Sequence, residues 1–250
     1  MRFFGEATSL GEVRELDGSV AMFSGLDYGV FNIALLTRGV DSSVDSKDGG
    51  LEARLAEIAR YFKQRTMRWS VWLCEELLDS RTKRRERQVF YDYGLRPISH
   101  PPGMIAAGLA PPRRVLPPIE CRPVADQPTR LAFAEITSVT FDIPFNVAHS
   151  VYTPERAWKG AYQGFVGLSD GRPVSIVALV KAAGAFGVYS LGTLPVFRHQ
   201  GYGEALLRSA LTKLRTEDTP IVLQSTEAGY SLYKHLGFRD AARFSVYLTK

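Results

Sequence analysis

Along this chain the apolar residues recur with two different periods, and the points where the period changes mark out its elements. In the C-terminal half, Ile119-Glu120-Cys121-Arg122-Pro123-Val124 alternates as a short strand. Asp126 is placed to cap a helix from Pro128 to about Val139, with Leu131, Phe133 and Ile136 among its apolar residues. Gly164–Leu168 and Val174–Val180 flank Ser169-Asp170-Gly171, and Asp-Gly between apolar runs is a strong hairpin signal. A further strand runs from Gly187 to Leu194. Leu206, Leu207, Ala210, Leu211 and Leu214 then make one helical face. Ile221-Val222-Leu223 reads as a buried strand, and a helix from about Ala228 to Leu236 stops at Gly237. Phe244–Leu248 is expected to close the same sheet. The order is strand, helix, three strands, helix, strand, helix, strand, which predicts a mixed α/β domain.

The N-terminal half repeats the later part of this order. Val20–Phe23 and Val30–Leu36 flank Gly25-Leu26-Asp27-Tyr28, a hairpin pattern. Leu51, Leu55, Ile58, Ala59 and Phe62 share a helical face, and Trp69, Val71 and Leu73 alternate as a strand. Trp69 and Trp72 cannot both face one side of it, so at least one belongs to the core. A polar helix around Arg84–Tyr93 stops at Gly94, and Phe90-x-x-x-Gly94-Leu95 echoes Tyr233-x-x-x-Gly237-Phe238. This points to a duplication whose first copy has drifted. Paired prolines at 111–112 and 117–118 interrupt helix and sheet. They divide the chain into a domain over 1–110, a linker over 111–118 and a domain over 119–250.

Composition changes this picture little. The chain of 250 residues is 45% hydrophobic and 23% charged, as expected of a folded protein with a proper core. No apolar run has the roughly 20 residues that cross a bilayer. The start, Met1 to Glu6, lacks a signal-like apolar stretch, so a cytoplasmic location is expected. Cys74 and Cys121 form no CxxC pair and have no histidine at metal spacing. Neither a disulfide nor a bound metal is expected. The formal charge of +5 suits an anionic small ligand and does not by itself imply nucleic acid.

The chemistry concentrates in Arg198-His199-Gln200-Gly201-Tyr202-Gly203-Glu204, between a strand and a helix. Two glycines let a ligand approach the backbone, and the free N–H groups of a first helical turn favour phosphate. By itself such a turn is equally compatible with a plain helix start. A dinucleotide fingerprint would need glycine where Leu206 stands, and a P-loop would need Gly-Lys-Ser/Thr; neither is present. A second signal is Tyr233, one turn before the helix-ending Gly237-Phe238 and after a buried strand. Its helical face, shared with Gly229 and Leu236, suits a packed core aromatic as well.

Taken together, Arg-x-x-Gly-x-Gly, the helix–strand–helix that follows, and Tyr-x-x-x-Gly-Phe resemble the GNAT superfamily of acetyl-CoA-dependent N-acetyltransferases. The likeness extends over about 119–250 and is weaker before 111. It implies an α/β (α+β) fold of two GNAT-like mixed-sheet lobes, the C-terminal one carrying the acyl-CoA site. It further implies that two strands splay apart, with Leu191, Gly192 and Thr193 offering backbone contacts to the pantetheine arm. His199, Gln200, Gly201, Tyr202, Gly203 and Glu204 would present N–H groups to the pyrophosphate, with Arg198 adding charge. Tyr233 would be the general acid that protonates the departing thiolate. The chain departs from the family in having no acid between Phe186 and Leu194, and Thr226 where asparagine is frequent. Glu227 and Glu135 are the candidate bases, each of which also reads as a solvated or capping residue.

The first copy lacks the loop. Val40 to Gly50 stands in its place with three aspartates, Asp41, Asp45 and Asp48, and should repel pyrophosphate. Arg81, Lys83, Arg84, Arg85 and Arg87 read as a solvated helix face, without the interleaved aromatics that stack on bases. His149, near Phe145-Asn146, falls where the family's acceptor loop would be. The expected activity is N-acetyltransfer from acetyl-CoA, or a related acyl-CoA, to a small-molecule or peptide amine. No membrane partner is expected, and the oligomeric state is not legible. The alternatives are a non-catalytic acyl-CoA sensor and a transferase acting on charged tRNA.

Overall fold

The computed structural model describes residues 1–40, 50–215 and 219–250. The acidic run at 41–49, where the missing loop was expected, lies outside them. Two compact units emerge, one of Met1–Gly103 together with Ala241–Lys250, the other of Met104–Asp240.

The first unit begins with helix α1 (Arg2–Ala7) and strands β1 (Glu12–Leu16), β2 (Ser19–Phe23) and β3 (Ile33–Leu36). Helix α2 (Gly50–Lys63) leads to β4 (Ser70–Cys74), then α3 (Ser80–Asp92) and β5 (Leu95–Ser99). β1, β2 and β3 pair antiparallel in succession, and β3 runs parallel to β4. Leu51, Leu55, Ile58 and Phe62 of α2 are buried with Val71 and Leu73 of β4, as their spacing predicts. Trp69 is buried and stacked on Phe62, while Trp72 is half-buried. The basic helix α3 starts at Asp79, whose carboxylate accepts from the Arg81 and Thr82 amides. Its cations lie among acids, with Lys83 against Glu75 at 3.0 Å and Arg85 against Glu52 at 2.8 Å.

Strand β6 (Pro102–Ala106) carries the chain onward, and Met104 and Ala106 are already buried in the core of the second unit. There follow β7 (Glu120–Pro123), α4 (Gln127–Phe141), α5 (Phe145–Tyr152), β8 (Tyr162–Ser169), β9 (Arg172–Ala182) and β10 (Ala185–Thr193). Then come α6 (Tyr202–Leu214), β11 (Ile221–Gln224), α7 (Glu227–His235) and the last strand, β12 (Arg239–Thr249). β7, β8, β9 and β10 are antiparallel neighbours, and β10 runs parallel to β11. Asp126 caps α4 in a capping box with Thr129. Gly237, at φ +92°, turns the chain out of α7. Cys74 and Cys121 are half-buried free thiols.

One expectation needs correction. Phe244–Leu248 does not close the second sheet. It pairs with β4 through Phe244↔Cys74 to Leu248↔Ser70, and with β5 on its other side. The reason is packing: Tyr247 is fully buried and stacks on Phe90 at 4.0 Å, within the core built by α2 and β4. Alternation identifies a strand but carries no information about which sheet receives it. The residues just before the proline-rich stretch are tied to the second unit. The Ala110 amide donates to the Leu236 carbonyl at 2.9 Å, and Arg208 of α6 donates to the Ala110 carbonyl. Arg215, just past the end of α6, donates to the carbonyl of Ala107.

Candidate active site

The site assembles where β10 and β11 part. Their parallel pairing consists of Phe186↔Ile221 and Gly187↔Val222, and β10 then continues to Thr193 with no strand on that edge among the described residues. A β-bulge against β9 lies between Tyr189 and Gly192, just past the last rung to β11, with Ser190 in the left-handed region at φ +49°. On the opposite edge β10 stays paired, Gly192 with Ile176 and Thr193 with Ser175. Leu191, Gly192 and Thr193 thus occupy the stretch of β10 beyond the last rung to β11.

The strand ends in a 3-10 turn, Pro195–Phe197, and then the Arg198–Glu204 loop. His199 (φ +61°) and Gly201 (φ +97°) both adopt left-handed conformations. Two polar side chains fold back on the loop's entry, Arg198 Nε donating to the Thr193 carbonyl at 3.1 Å and Gln200 Nε2 to the Val196 carbonyl at 2.9 Å. Tyr202 turns its ring away, its hydroxyl 3.1 Å from Ser169 Oγ. Glu204 is neutralised one turn on by Arg208 at 2.8 Å. Among the described residues no main-chain hydrogen bond of ordinary geometry runs from His199, Gln200, Gly201, Tyr202, Gly203 or Glu204 to the protein. The first helical donor with a partner is Ala205, bonded to the Gly201 carbonyl at 2.9 Å. These residues are exposed or half-exposed, so the amides remain available.

Gly203 explains how the helix comes so near the strand. A Cβ there would stand 3.1 Å from Thr193 Oγ1, so glycine lets the first turn of α6 seat against the end of β10. The loop and the parted strand are therefore adjacent by construction.

Tyr233 lies in the cluster that also holds Val188 and Leu223, each beyond the last β10–β11 rung. Its ring rests over Gly229, where a Cβ would meet Tyr233 Cε2 at 3.0 Å, and packs edge-on against Phe238. Burial pushes its hydroxyl up to about 12, with no hydrogen bond contributing to the shift. Thr226 caps α7 by accepting from the Gly229 amide at 3.2 Å. Glu227 and Glu135 are both exposed. His149, on α5, is also exposed and sits beside Phe145. The C-terminal end of α4 reaches the bulge, since a Cβ on Gly192 would stand 2.8 Å from Thr140 and 3.3 Å from Phe141.

Two features were not read from the sequence. Beneath the bulge, Tyr162 and Ser190 share a 2.8 Å hydrogen bond, and burial pushes the Tyr162 and Tyr152 hydroxyls up. No local pattern announces it, because the partners come from α5, β8 and β10. The other is the proline-rich stretch, which meets Gly201. A Cβ on Gly201 would stand 3.1 Å from Pro117, 3.3 Å from Leu116 and 3.4 Å from Arg114 Nη2. Among the described residues no group of three or more His, Cys, Asp or Glu side chains could hold a metal ion. No described helix is long and apolar enough to cross a membrane.

Residues 160–240 match the family model described as the acetyltransferase (GNAT) domain. The match runs from the start of β8 to the first residues of β12 and includes the amide loop and Tyr233, so this stretch of the second unit is similar to GNAT acetyltransferase domains. A GCN5-related N-acetyltransferase from Kribbella flavida is similar over 96% of this chain and 89% of its own, with 21% identity and a TM-score of 0.69. One from Sphaerobacter thermophilus is similar over 93% of this chain and 76% of its own, at 16% identity and a TM-score of 0.60. A tandem GNAT protein from the clavulanic acid biosynthesis pathway is similar over 92% of this chain and 78% of its own, at 11% identity and a TM-score of 0.60. At such identities the likeness is one of fold, and the fold is a tandem of two GNAT-like mixed-sheet units. No curated protein matches the chain significantly.

Proposed function

We propose that the second unit transfers a short acyl group, acetyl in the first instance, from acyl-CoA to an amine by direct attack in a ternary complex. The observation that carries this reading is the run of unpartnered amides from His199 to Glu204, at the end of a strand that has left its neighbour. Such a run fits a diphosphate, because several N–H groups lie together at the start of a helix. Leu191, Gly192 and Thr193 fit the pantetheine arm on the β10 edge beyond Gly187. The bound cosubstrate supplies an activated thioester carbonyl.

The protein's own contribution is to place and to move protons. Tyr233, held protonated by burial, is suited to donate to the departing sulfur. It is not suited to act as a base at neutral pH. β10 has no acid from Phe186 onward, and Glu135 and Glu227 face solvent. The amine is therefore expected to enter already neutral or to lose its proton to water. A covalent acyl-enzyme is disfavoured, since burial pushes the Cys121 thiol up, away from the reactive thiolate.

Thermal stabilisation by acetyl-CoA and longer acyl-CoAs tests the donor, and thiol release with a panel of amines tests turnover. Stabilisation together with amine-dependent thiol release is the expected result. Stabilisation without turnover on any amine identifies an acyl-CoA sensor instead. No stabilisation by any acyl-CoA removes the reading altogether.

A further inference from the structure

Residues 107–117 lie along α6 from its end to its start. The Ala107 carbonyl accepts from Arg215, the Ala110 carbonyl from Arg208, and Leu116 and Pro117 pack against Gly201. The Ala110 amide fixes the strap's middle to Leu236. Prolines at 111, 112, 117 and 118 restrict the backbone on both sides of Arg113-Arg114. This strap brings Arg114 Nη2 within 3.4 Å of the Cβ position of Gly201, beside the unpartnered amides. Arg114 is exposed and makes no ion pair among the described residues, so its charge is uncommitted. The nearby carboxylate, Glu204, is already paired with Arg208.

We infer that the strap is part of the acyl-CoA site and that Arg114 is a binding residue for the pyrophosphate. The inference rests on the acyl-CoA reading of the loop and adds a residue that lies outside the matched segment, 160–240. The amides supply directed donors and Arg114 supplies the full positive charge that neutralises the anion. It reaches the loop through a segment preset by its prolines.

The test measures acetyl-CoA and 3′-dephospho-acetyl-CoA dissociation constants at low and high salt. The proteins are the wild type, Arg114→Gln, Arg114→Lys and the neighbouring Arg113→Gln. Arg114→Gln is expected to weaken both ligands about tenfold at low salt, with a smaller loss at high salt, where screening already weakens the contact. Arg114→Lys should recover part of the loss, and Arg113→Gln should bind as wild type. Equal binding by Arg114→Gln overturns the inference, as does equal weakening by Arg113→Gln, which would mean general charge alone. A loss for acetyl-CoA with none for the dephospho ligand overturns the pyrophosphate assignment. Failure of the wild type to bind either ligand is a different result, since it removes the acyl-CoA reading itself.

Discussion

The two units follow the same succession of antiparallel strands, helix, parallel strand and helix, yet they treat the same joint in opposite ways. In the first, β3 and β4 pair at Ile33↔Ser70, Ala34↔Val71 and Leu35↔Trp72, with an unbroken register to β2 behind. The pairing resumes beyond the strands at Val40↔Leu78, where the Val40 amide donates to Leu77 at 2.7 Å. In the second, β10 leaves β11 after two rungs, and a bulge against β9 follows at Ser190. The polarity of the following segment is reversed as well. Arg54 is buried in the first unit and donates to the carbonyls of Arg38 at 2.7 Å and Gly39 at 3.0 Å, so carbonyl oxygens point inward there. The second unit offers N–H groups at the corresponding place.

The comparison extends to the tyrosine. Phe90 stands where the repeat puts Tyr233, fully buried against Tyr247 and without a hydroxyl. The largest expected effect follows from imposing the first unit's chemistry on the second. Tyr233→Phe should lower turnover by about 10²–10⁴-fold, in the range of general acid catalysis, while acetyl-CoA stabilisation stays unchanged. A variant with full turnover would show that the two positions differ only in packing.

Alkali offers the next test. The Tyr233 hydroxyl is favoured in its neutral form, with its folded value raised from 10 to about 12. Its stabilising contribution is whole below pH 10 and declines as pH rises towards 12, by roughly 2–3 kcal/mol. Denaturant titrations from pH 9 to 12 should show a shallower loss for Tyr233→Phe. Over the same pH range Tyr233 imposes no alkaline limb on turnover below about pH 11. Rates should rise with the fraction of neutral amine acceptor, and a fall above pH 8 with a high-pKa amine would contradict this.

Smaller effects separate the loop from the scaffold. Gly201→Val places a β-branched side chain at φ +97°, which costs about 2 kcal/mol or more, and should weaken acetyl-CoA at least tenfold. Asp79→Ala, which uncaps α3 in the first unit, should cost about 1 kcal/mol of stability and leave acetyl-CoA affinity alone. Measuring both by calorimetry tests whether ligand binding belongs to the second unit alone.

Features decided by neighbouring residues were legible in the sequence. The Asp126 cap, the Asp170-Gly171 turn, the Gly237 stop and the apolar face of α6 all stand where local chemistry put them. The amide loop was equally readable, because glycine spacing and a following helix are local facts. What escaped depends on distant partners. Helix α5 has few local signals, and its Tyr152 is fixed by Phe133 and Trp158. The bulge at Ser190 looks like ordinary strand sequence, since nothing local marks the hydroxyl that meets Tyr162. The prolines at 111–118 correctly excluded helix and sheet but were silent about the carbonyls that Arg208 and Arg215 would seek.

The exchanged strand β12 bears on how the chain matures. Residues 1–103 emerge from the ribosome first, yet the flank of β4 that Val246 and Tyr247 cover stays bare until residues 104–240 have been made. The earlier half is thus the later one to finish. A stalled or clipped product ending before Ala241 would display an apolar, unpaired strand margin, the kind of surface that chaperones and aggregates both recognise.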